Sequence, residues 1–126
     1  MSNEPRTRVI VCGGRDYTDQ DAIRERLEVL RADYPDAIVI HGGAPGADSW
    51  AGHIAGRLGL DVEVYPANWK KYGRAAGPIR NREMLDSGAD LVIAFPGGVG
   101  TQNMITQAGL MGVPVLRVEM LNGSEQ

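Results

Sequence analysis

The segment Pro96–Thr101 (PGGVGT) has the residue types that hold a phosphate group in many proteins. It lies between an apolar run and a helical pattern, so its glycines would let backbone N–H groups converge at the start of a helix. The helix dipole adds about half a positive charge there, and the Thr101 hydroxyl can donate a hydrogen bond to the same phosphate. We therefore predict that an anion is bound by Pro96, Gly97, Gly98, Gly100 and Thr101. The alternative is a tight turn that only packs a strand against a helix.

Two more glycine segments contain a carboxylate. GGRDY and GGAPGAD both follow apolar runs, and glycines at such positions let the backbone approach a ligand closely. From them we predict ligand contacts by Gly13, Gly14, Arg15, Gly42, Gly43 and Asp48. Asp48 would accept a ribose hydroxyl or a proton, or alternatively would only cap the helix that begins beside it. His53, one turn further along that helix, is better explained as a packed or capped side chain than as a catalyst.

The segment GPIRNRE places two arginines near the predicted start of a helix. The helix dipole disfavours a cation in the first turn by about 0.3–1 kcal/mol, whereas a bound anion would reverse that effect and could accept two hydrogen bonds from one guanidinium. We therefore predict that Arg82 binds the phosphate with Arg80 in support, and that Asn81 belongs to the same site. Alternatively, the arginines pair with acids of their own helix, Glu83 or Asp86.

The net charge of −3 hides a basic segment at residues 66–82. That segment has no acid and a local charge of +5, contributed by Lys70, Lys71, Arg74, Arg80 and Arg82. The remaining residues therefore sum to −8 (−3 minus +5), which excludes a generic polyanion-binding protein. Trp69 and Tyr72 lie among these cations, a pattern that suits stacking of a nucleotide base beside phosphate contacts. A mobile lid over the site would have the same pattern.

The sequence also excludes several kinds of site. Cys12 is the only cysteine, which rules out a disulfide framework and a cysteine-cluster metal site. No segment matches G-x-x-x-x-G-K-[ST], and GGRDY does not match G-x-G-x-x-G, so P-loop hydrolysis and NAD-type dinucleotide binding are disfavoured. No apolar run approaches the roughly 18 residues of a membrane span, so we expect a cytoplasmic protein without a membrane partner. The residue spacing does not demand a cofactor and does not exclude a metal, since Asp16 and Asp48 could share a Mg²⁺ ion with a phosphate.

The length of 126 residues fits one compact domain, which we predict over residues 8–118, between a polar lead (1–7) and a polar tail (119–126). Apolar runs rich in β-branched residues predict five strands, at 8–12, 37–41, 61–65, 91–95 and 114–118. Helical patterns lie between them, with a long loop at 66–77, Thr18 as the N-cap of the first helix and Pro78 at the start of the third. The residues expected to face the core from the first two helices are Ile23, Leu27, Leu30, Trp50, Ile54 and Leu58.

This alternation predicts an α/β fold, a three-layer, doubly wound, parallel five-stranded sheet of the Rossmann-like type. Polar and apolar residues alternate in 61–65, which predicts an edge strand. In such sheets a ligand binds beyond the carboxyl ends of the strands, where the strand order reverses. The glycine clusters all follow predicted strands, so we place the ligand at that rim of the sheet.

The segments VCGGRDY, HGGAPGADSWA, GPIRNREML and AFPGGVGTQNM, in this order, resemble the motifs of the YspA-type branch of the SLOG superfamily. The resemblance spans residues 8–118. It implies a Rossmann-like nucleotide-binding domain, related to the DNA-processing protein DprA and to the LOG phosphoribohydrolases. It also implies a homodimer.

FPGGVGT resembles the P-G-G-x-G-T-x-x-E signature of the LOG enzymes, which cleave the N-glycosidic bond of nucleoside monophosphates. Met104 stands where that signature has Glu, and a methionine side chain carries no proton. We therefore predict a protein that binds a nucleotide or a nucleotide-derived phosphate ligand, as a sensor or in its processing. The phosphate would lie on residues 97–101, and the sugar near Gly43 and Asp48.

Two alternatives from other classes remain. The first is a hydrolase that cleaves an N-glycosidic or phosphate bond of such a ligand, with Asp16, Asp48 or Glu83 as the acid or base. The second is binding of single-stranded nucleic acid, because GGAPGADSWAGHIA and RNR resemble DprA. Its contacts would come from Trp69, Lys70, Lys71 and Arg74.

Overall fold

The structure, a computed structural model, describes residues 5–119. Its strands are β1 (Arg8–Cys12), β2 (Ile38–His41), β3 (Asp61–Val64), β4 (Leu91–Ala94) and β5 (Val115–Arg117). They form one parallel sheet in the order β3-β2-β1-β4-β5. The predicted α/β fold and the edge position of the third strand are confirmed. Of the two polar ends, residues 1–4 and 120–126 lie outside the described residues.

Helices cover both faces of this sheet. They are α1 (Gln20–Asp33), α2 (Ala47–Arg57), α3 (Trp69–Tyr72), α4 (Ala76–Asp86) and α5 (Val99–Leu110), with a 3₁₀ turn at Gly73–Ala75. α1 and α2 pack on one face, and α4 and α5 on the other. No helix within residues 5–119 has the length and apolar character needed to cross a bilayer.

Successive residues of β1 pack into two separate cores, because side chains along a strand alternate between its faces. Val9 and Val11 lie against α1 and α2, whereas Ile10 and Cys12 lie on the side of α4 and α5. All the predicted core residues of α1 are buried, namely Ile23, Leu27 and Leu30.

The buried face of α2 is formed mainly by small residues. Ala47, Ala51 and Ala55 are completely buried, together with the predicted Ile54, which is 2% exposed. Trp50 and Leu58 are only partly buried, at the margin of the same core. Because alanine adds little bulk, α2 can lie close to the sheet.

The start of α1 differs by one residue from the prediction. Asp19, and not Thr18, is its N-cap, and the Asp19 carboxylate accepts a hydrogen bond from the Ala22 N–H at 3.0 Å. Aspartate and threonine both favour this position, so the residue types alone did not separate the two.

The segment 66–77, predicted as a loop, contains α3, the 3₁₀ turn and the first residues of α4. Asn68 caps α3, accepting from the Lys71 N–H at 3.0 Å. Pro78 is the third residue of α4 rather than its first. It is tolerated there because N–H groups of the first turn have no intrahelical acceptor.

The loops after β1 and β4 and the start of α2 meet at the backbone of Gly14. The Gly14 N–H donates to the Pro96 carbonyl at 2.8 Å. The Gly14 carbonyl accepts from the N–H groups of Ala47 at 3.1 Å and Tyr17 at 3.2 Å. Strand order reverses between β1 and β4, so this junction lies at the position where doubly wound sheets bind ligands.

We expect Gly46→Ala to lower the free energy of unfolding by about 2 kcal/mol or more. Gly46 has a φ of +80°, and a Cβ there would overlap the carbonyl oxygens of Gly14 and Arg15. Gly56→Ala is the control, because Gly56 lies within the helix that Gly46 caps and a Cβ there would meet nothing within 4 Å. That change should stabilise the protein by about 0.5–1 kcal/mol. Urea unfolding measures the free energy of unfolding of both variants. Equal changes in the two would contradict the close approach of Gly46 to the loop after β1.

His41, at the end of β2, is a buried titratable residue with 6% exposure. Its Nδ1 accepts a hydrogen bond from the Gly43 N–H at 3.0 Å, and its ring packs against Gly52 of α2. Burial lowers the pKa of His41, and the positive charge of Arg80 lowers it further. The folded protein therefore favours the neutral ring.

We expect His41 to contribute a fall in the free energy of unfolding as the pH decreases below about 6.5. Below that pH the unfolded chain binds a proton at His41 that the folded protein resists, and one such group contributes at most about 1.4 kcal/mol per pH unit. Urea unfolding between about pH 7.5 and 5.5 spans this window. His41→Gln should flatten the slope, whereas the matched change at exposed His53 should keep it. An unaltered slope in His41→Gln would refute the assignment.

Candidate ligand-binding site

A cleft of about 1350 Å³ opens at the carboxyl ends of β1 and β4, beside the Gly14 junction. Most of the predicted site residues line it: Gly13, Gly14, Arg15, Asp16, Asp48, Arg80, Asn81, Pro96, Gly97, Gly98, Gly100 and Thr101. Gly42 and Gly43 do not line the cleft, although the Gly42 backbone hydrogen-bonds to Asp48 and Arg80, which do. The fold thus brings the three glycine segments and α4 to one place.

The turn at 96–98 passes directly over the loop after β1. A Cβ on Gly97 would overlap the Thr101 hydroxyl and would lie 2.7 Å from the Gly14 nitrogen, so only glycine fits. α5 begins after Gly98 without any side-chain cap. Its first N–H groups therefore have no partner within the helix, and residues Gly98–Thr101 all line the cleft.

Arg80 is held in the cleft by two neighbours. Its Nη1 donates to the Gly42 carbonyl at 2.6 Å, and its Nε donates to Oδ1 of Asn81 at 3.2 Å. Its Nη2 has no acceptor within residues 5–119. Burial lowers the pKa of Arg80, and the charge of Asp48 opposes that change. Because a guanidinium stays protonated near neutral pH, the cleft contains an oriented and half-buried cation.

Asn81 connects this cation to the start of α5. It is 5% exposed, and its Nδ2 donates to the Gly100 carbonyl at 3.2 Å and to Oδ1 of Asn103 at 3.0 Å. Gln107 supports the pair by donating to the same Asn103 oxygen at 2.7 Å. Sequence reasoning missed Asn103 and Gln107, whose signal would have been two amides four residues apart in a helix that has no charged residue.

Asp48 does not cap α2 as the simpler interpretation expected. The N-cap is Gly46, and the Asp48 carboxylate instead reaches back to the loop after β2. There its Oδ2 accepts from the Gly42 N–H at 3.0 Å and from the Ala44 N–H at 3.3 Å. Burial raises the pKa of Asp48, whereas the Ala44 N–H and the charge of Arg80 lower it.

Arg82 and Glu83 do not line the cleft. Arg82 Nε donates to Asp86 at 3.0 Å on the exposed side of α4. The helix begins at Ala76, so Arg80 is its fifth residue and the dipole argument for the first turn does not apply. Residues two apart on a helix point about 200° apart. The structure therefore places Arg80 at the cleft and turns Arg82 away from it.

The cleft also has a wall from the segment after β3 and another from β5. Trp69 and Arg74 line the first, and Arg117 lines the second. The Arg15 guanidinium lies over the Trp69 indole, with 5.9 Å between Cζ and the ring centroid. Arg117 was missed because it ends a short strand, where the apolar pattern accounts for its neighbours; a cation at the carboxyl end of a strand was its signal.

Two sulfur-containing residues near the cleft lack an acid–base role. Burial raises the pKa of the Cys12 thiol to about 12, so it stays protonated. Met104 is completely buried in the core beside α4. Within residues 5–119, no group of three or more His, Cys, Asp or Glu side chains could hold a metal ion. A Mg²⁺ ion shared by Asp16, Asp48 and a phosphate stays a prediction.

Two sequence comparisons match this chain. Residues 7–72 match the family described as YAcAr, the YspA, cpYpsA-related SLOG family. Gene 61 protein of Mycobacterium phage D29 is 38% identical over 118 residues, which cover 86% of this chain and 94% of that protein.

Solved structures share the fold. DNA processing protein A (DprA) from Streptococcus pneumoniae superposes with a TM-score of 0.73 at 18% identity, over 94% of this chain and 53% of that chain. This chain therefore spans about half the length of DprA. The C-terminal domain of PF1911 hydrogenase from Pyrococcus furiosus gives a TM-score of 0.51 at 20% identity, over 93% of this chain and 97% of that chain. Both likenesses show the fold alone. By its family match and its phage relative, the chain belongs to the YspA, cpYpsA-related SLOG family.

Proposed function

We propose that this protein binds a nucleotide or a nucleotide-derived phosphate ligand in the cleft, as a sensor or in the processing of that ligand. The proposal depends on one observation, the uncapped start of α5 beside the Arg80 guanidinium. Asn81 hydrogen-bonds to both, through Gly100 and through Arg80 Nε. Membership of the SLOG family supports the nucleotide class.

A phosphate at this position has several donors. Gly98, Thr101 and Arg80 line the cleft, so the first N–H groups of α5, the Thr101 hydroxyl and the Arg80 guanidinium would be its donors, and charge-assisted hydrogen bonds are the stronger kind. Thr101 is 6% exposed, so its hydroxyl is already largely removed from water. Because Gly42 and Asn81 orient Arg80 in the unliganded protein, little side-chain entropy remains to be lost on binding.

We expect Arg80→Ala to weaken the binding of AMP about tenfold or more, since a hydrogen bond to a charged group contributes about 1.5–3 kcal/mol. Arg82→Ala is the control, because it removes the same charge from the same helix but from its exposed side. Titration calorimetry of wild type and both variants with AMP measures the dissociation constants.

A thermal-shift screen with AMP, ADP-ribose, cyclic dinucleotides and inorganic phosphate precedes that titration. A ligand at about 100 times its Kd stabilises the folded state by about 2.7 kcal/mol, which shifts the melting temperature by several degrees. Each variant is compared with its own unliganded melting temperature, since Arg80→Ala also removes the donor to the Gly42 carbonyl. The proposal is rejected if no ligand shifts the wild type, or if Arg82→Ala impairs binding as much as Arg80→Ala.

A second candidate function, hydrolysis of the bound ligand, is favoured by Asp48. This carboxylate is 6% exposed and lines the cleft, and only its Oδ2 has a hydrogen-bond donor within residues 5–119. A buried carboxyl group with a raised pKa, beside a cation, is a general acid or base in many active sites. Of the other predicted catalysts, Asp16 lines the cleft and Glu83 does not.

If the protein cleaves nucleoside monophosphates, we expect Asp48→Asn to slow release of the free base about 100-fold or more. The amide can still accept from the loop N–H groups but cannot transfer a proton. Chromatography of the incubated nucleotide measures the base, and Asp16→Asn tests the exposed carboxylate of the same cleft. An inert wild-type protein, or full activity in Asp48→Asn, would exclude this role for Asp48.

Single-stranded nucleic acid is the third candidate ligand. Trp69 and Arg74 line the cleft, whereas Lys70 and Lys71 do not, which leaves a short basic track. A gel shift that weakens steeply with salt would support this alternative. The homodimer and the cytoplasmic location stay predictions from the sequence.

A further inference from the structure

Arg15 and Trp69 contact each other at the cleft although they come from different parts of the chain. Arg15 follows β1 and Trp69 begins α3, and both line the cleft. We infer that this pair is the subsite for the aromatic base of the ligand, so that the protein selects phosphates that carry a nucleobase over plain sugar phosphates. The inference rests on the proposed function and adds the feature by which the ligand is recognised.

The Trp69 indole contacts α4 at one edge and Arg15 on one face, and much of the rest of it is exposed to solvent. Its Cη2 lies against Gly77 in α4, 3.4 Å from where a Cβ would be. The side chain is nevertheless 48% exposed. Leaving so much aromatic surface in water forgoes the stabilisation of burial, and a flat ring stacked on the indole would recover it.

The distance between Arg15 and the indole leaves no room for an aromatic ring between them unless Arg15 moves. The guanidinium carbon lies 5.9 Å from the indole centroid, whereas a ring between them needs about 7 Å, twice an ordinary carbon contact of about 3.5 Å. Arg15 is exposed, and no hydrogen bond or ion pair within residues 5–119 holds its side chain. A displacement of the Arg15 side chain away from the indole would therefore admit a base between two groups that both stack on π-systems.

α3 also contains a second cation–aromatic pair, which shows whether an exposed aromatic ring is by itself a sign of the cleft. Lys71 Nζ lies 5.1 Å from the Tyr72 ring, and Tyr72 is 40% exposed. Tyr72 does not line the cleft, whereas Trp69 shares it with Arg80 and the start of α5. Both aromatic rings are thus exposed to solvent. Of the two, Trp69 lies in the cleft with the proposed phosphate site and Tyr72 does not.

Calorimetry with AMP and ribose 5-phosphate tests the inference on wild type, Trp69→Leu and the control Tyr72→Leu. We expect wild type and Tyr72→Leu to bind AMP about tenfold or more tightly than ribose 5-phosphate, since stacking of one base has that effect or a larger one. In Trp69→Leu this preference should be lost, with ribose 5-phosphate binding unchanged. GMP, CMP and UMP extend the comparison to other bases.

Fluorescence provides a readout that a merely structural role would not change. The chain has 2 tryptophans, so Trp50→Phe leaves Trp69 as the reporter. We expect its emission to respond to AMP and not to ribose 5-phosphate. Equal binding of both ligands by wild type, or a preference retained in Trp69→Leu, would overturn the base subsite while the phosphate site stands. If none of these phosphates binds wild type, the proposed function fails and the subsite fails with it.

Discussion

The backbone of Gly14 is the constraint on which the cleft depends. Its N–H and its carbonyl together bond to Pro96, Ala47 and Tyr17, so the backbone of one residue holds the loop after β4, the start of α2 and its own loop in contact. No side chain takes part in these bonds. A Cβ at Gly13, Gly46 or Gly97 would overlap neighbouring atoms, so these positions have no room for a side chain. Because a peptide carbonyl has two acceptor positions, this carbonyl is fully used, and the positions at which α2 and α5 begin are determined together.

The two helices that begin at this rim use their N-termini differently. The first N–H of α2, that of Ala47, is bonded to Gly14, and the carboxylate of Asp48 is directed to the loop at Gly42 and Ala44. α2 is thus bound to protein from its first turn. α5 has no side-chain cap and its first residues line the cleft. The start of α2 therefore holds the loops together, and the start of α5 is open to an anion. The dipole of α5 favours negative charge at that position.

The fold was predictable because apolar patterning is a local property of the chain. A central strand of a parallel sheet is buried on both faces, so Arg8–Cys12 had to be almost continuously apolar, while the alternation at 61–65 could only suit an edge. The loops of the site were predictable for a related reason, since close backbone approach demands glycine.

The sequence did not predict that Arg80 and not Arg82 lines the cleft, because the direction of each side chain depends on where α4 begins. Ala75 precedes that helix without a side-chain cap, and an error of two residues in a helix start turns the predicted face by about 200°. The hydrogen bond between Asn81 and Asn103 joins two helices, so no local pattern of the sequence could predict that these two amides meet.

Asp48 links the two leading interpretations of the cleft in one electrostatic argument. Its pKa is already raised by burial and is held down by the Ala44 N–H and by Arg80. A phosphate bound beside Arg80 would add negative charge near the carboxylate and would engage the guanidinium that stabilises it, and both changes favour the protonated form. Ligand binding would therefore raise the pKa of Asp48 further, toward the protonated carboxyl that a general acid requires. On this argument, binding and bond cleavage use one arrangement of charges, and the difference between a sensor and a hydrolase of this construction lies in whether a scissile bond of the ligand comes within hydrogen-bonding distance of Asp48.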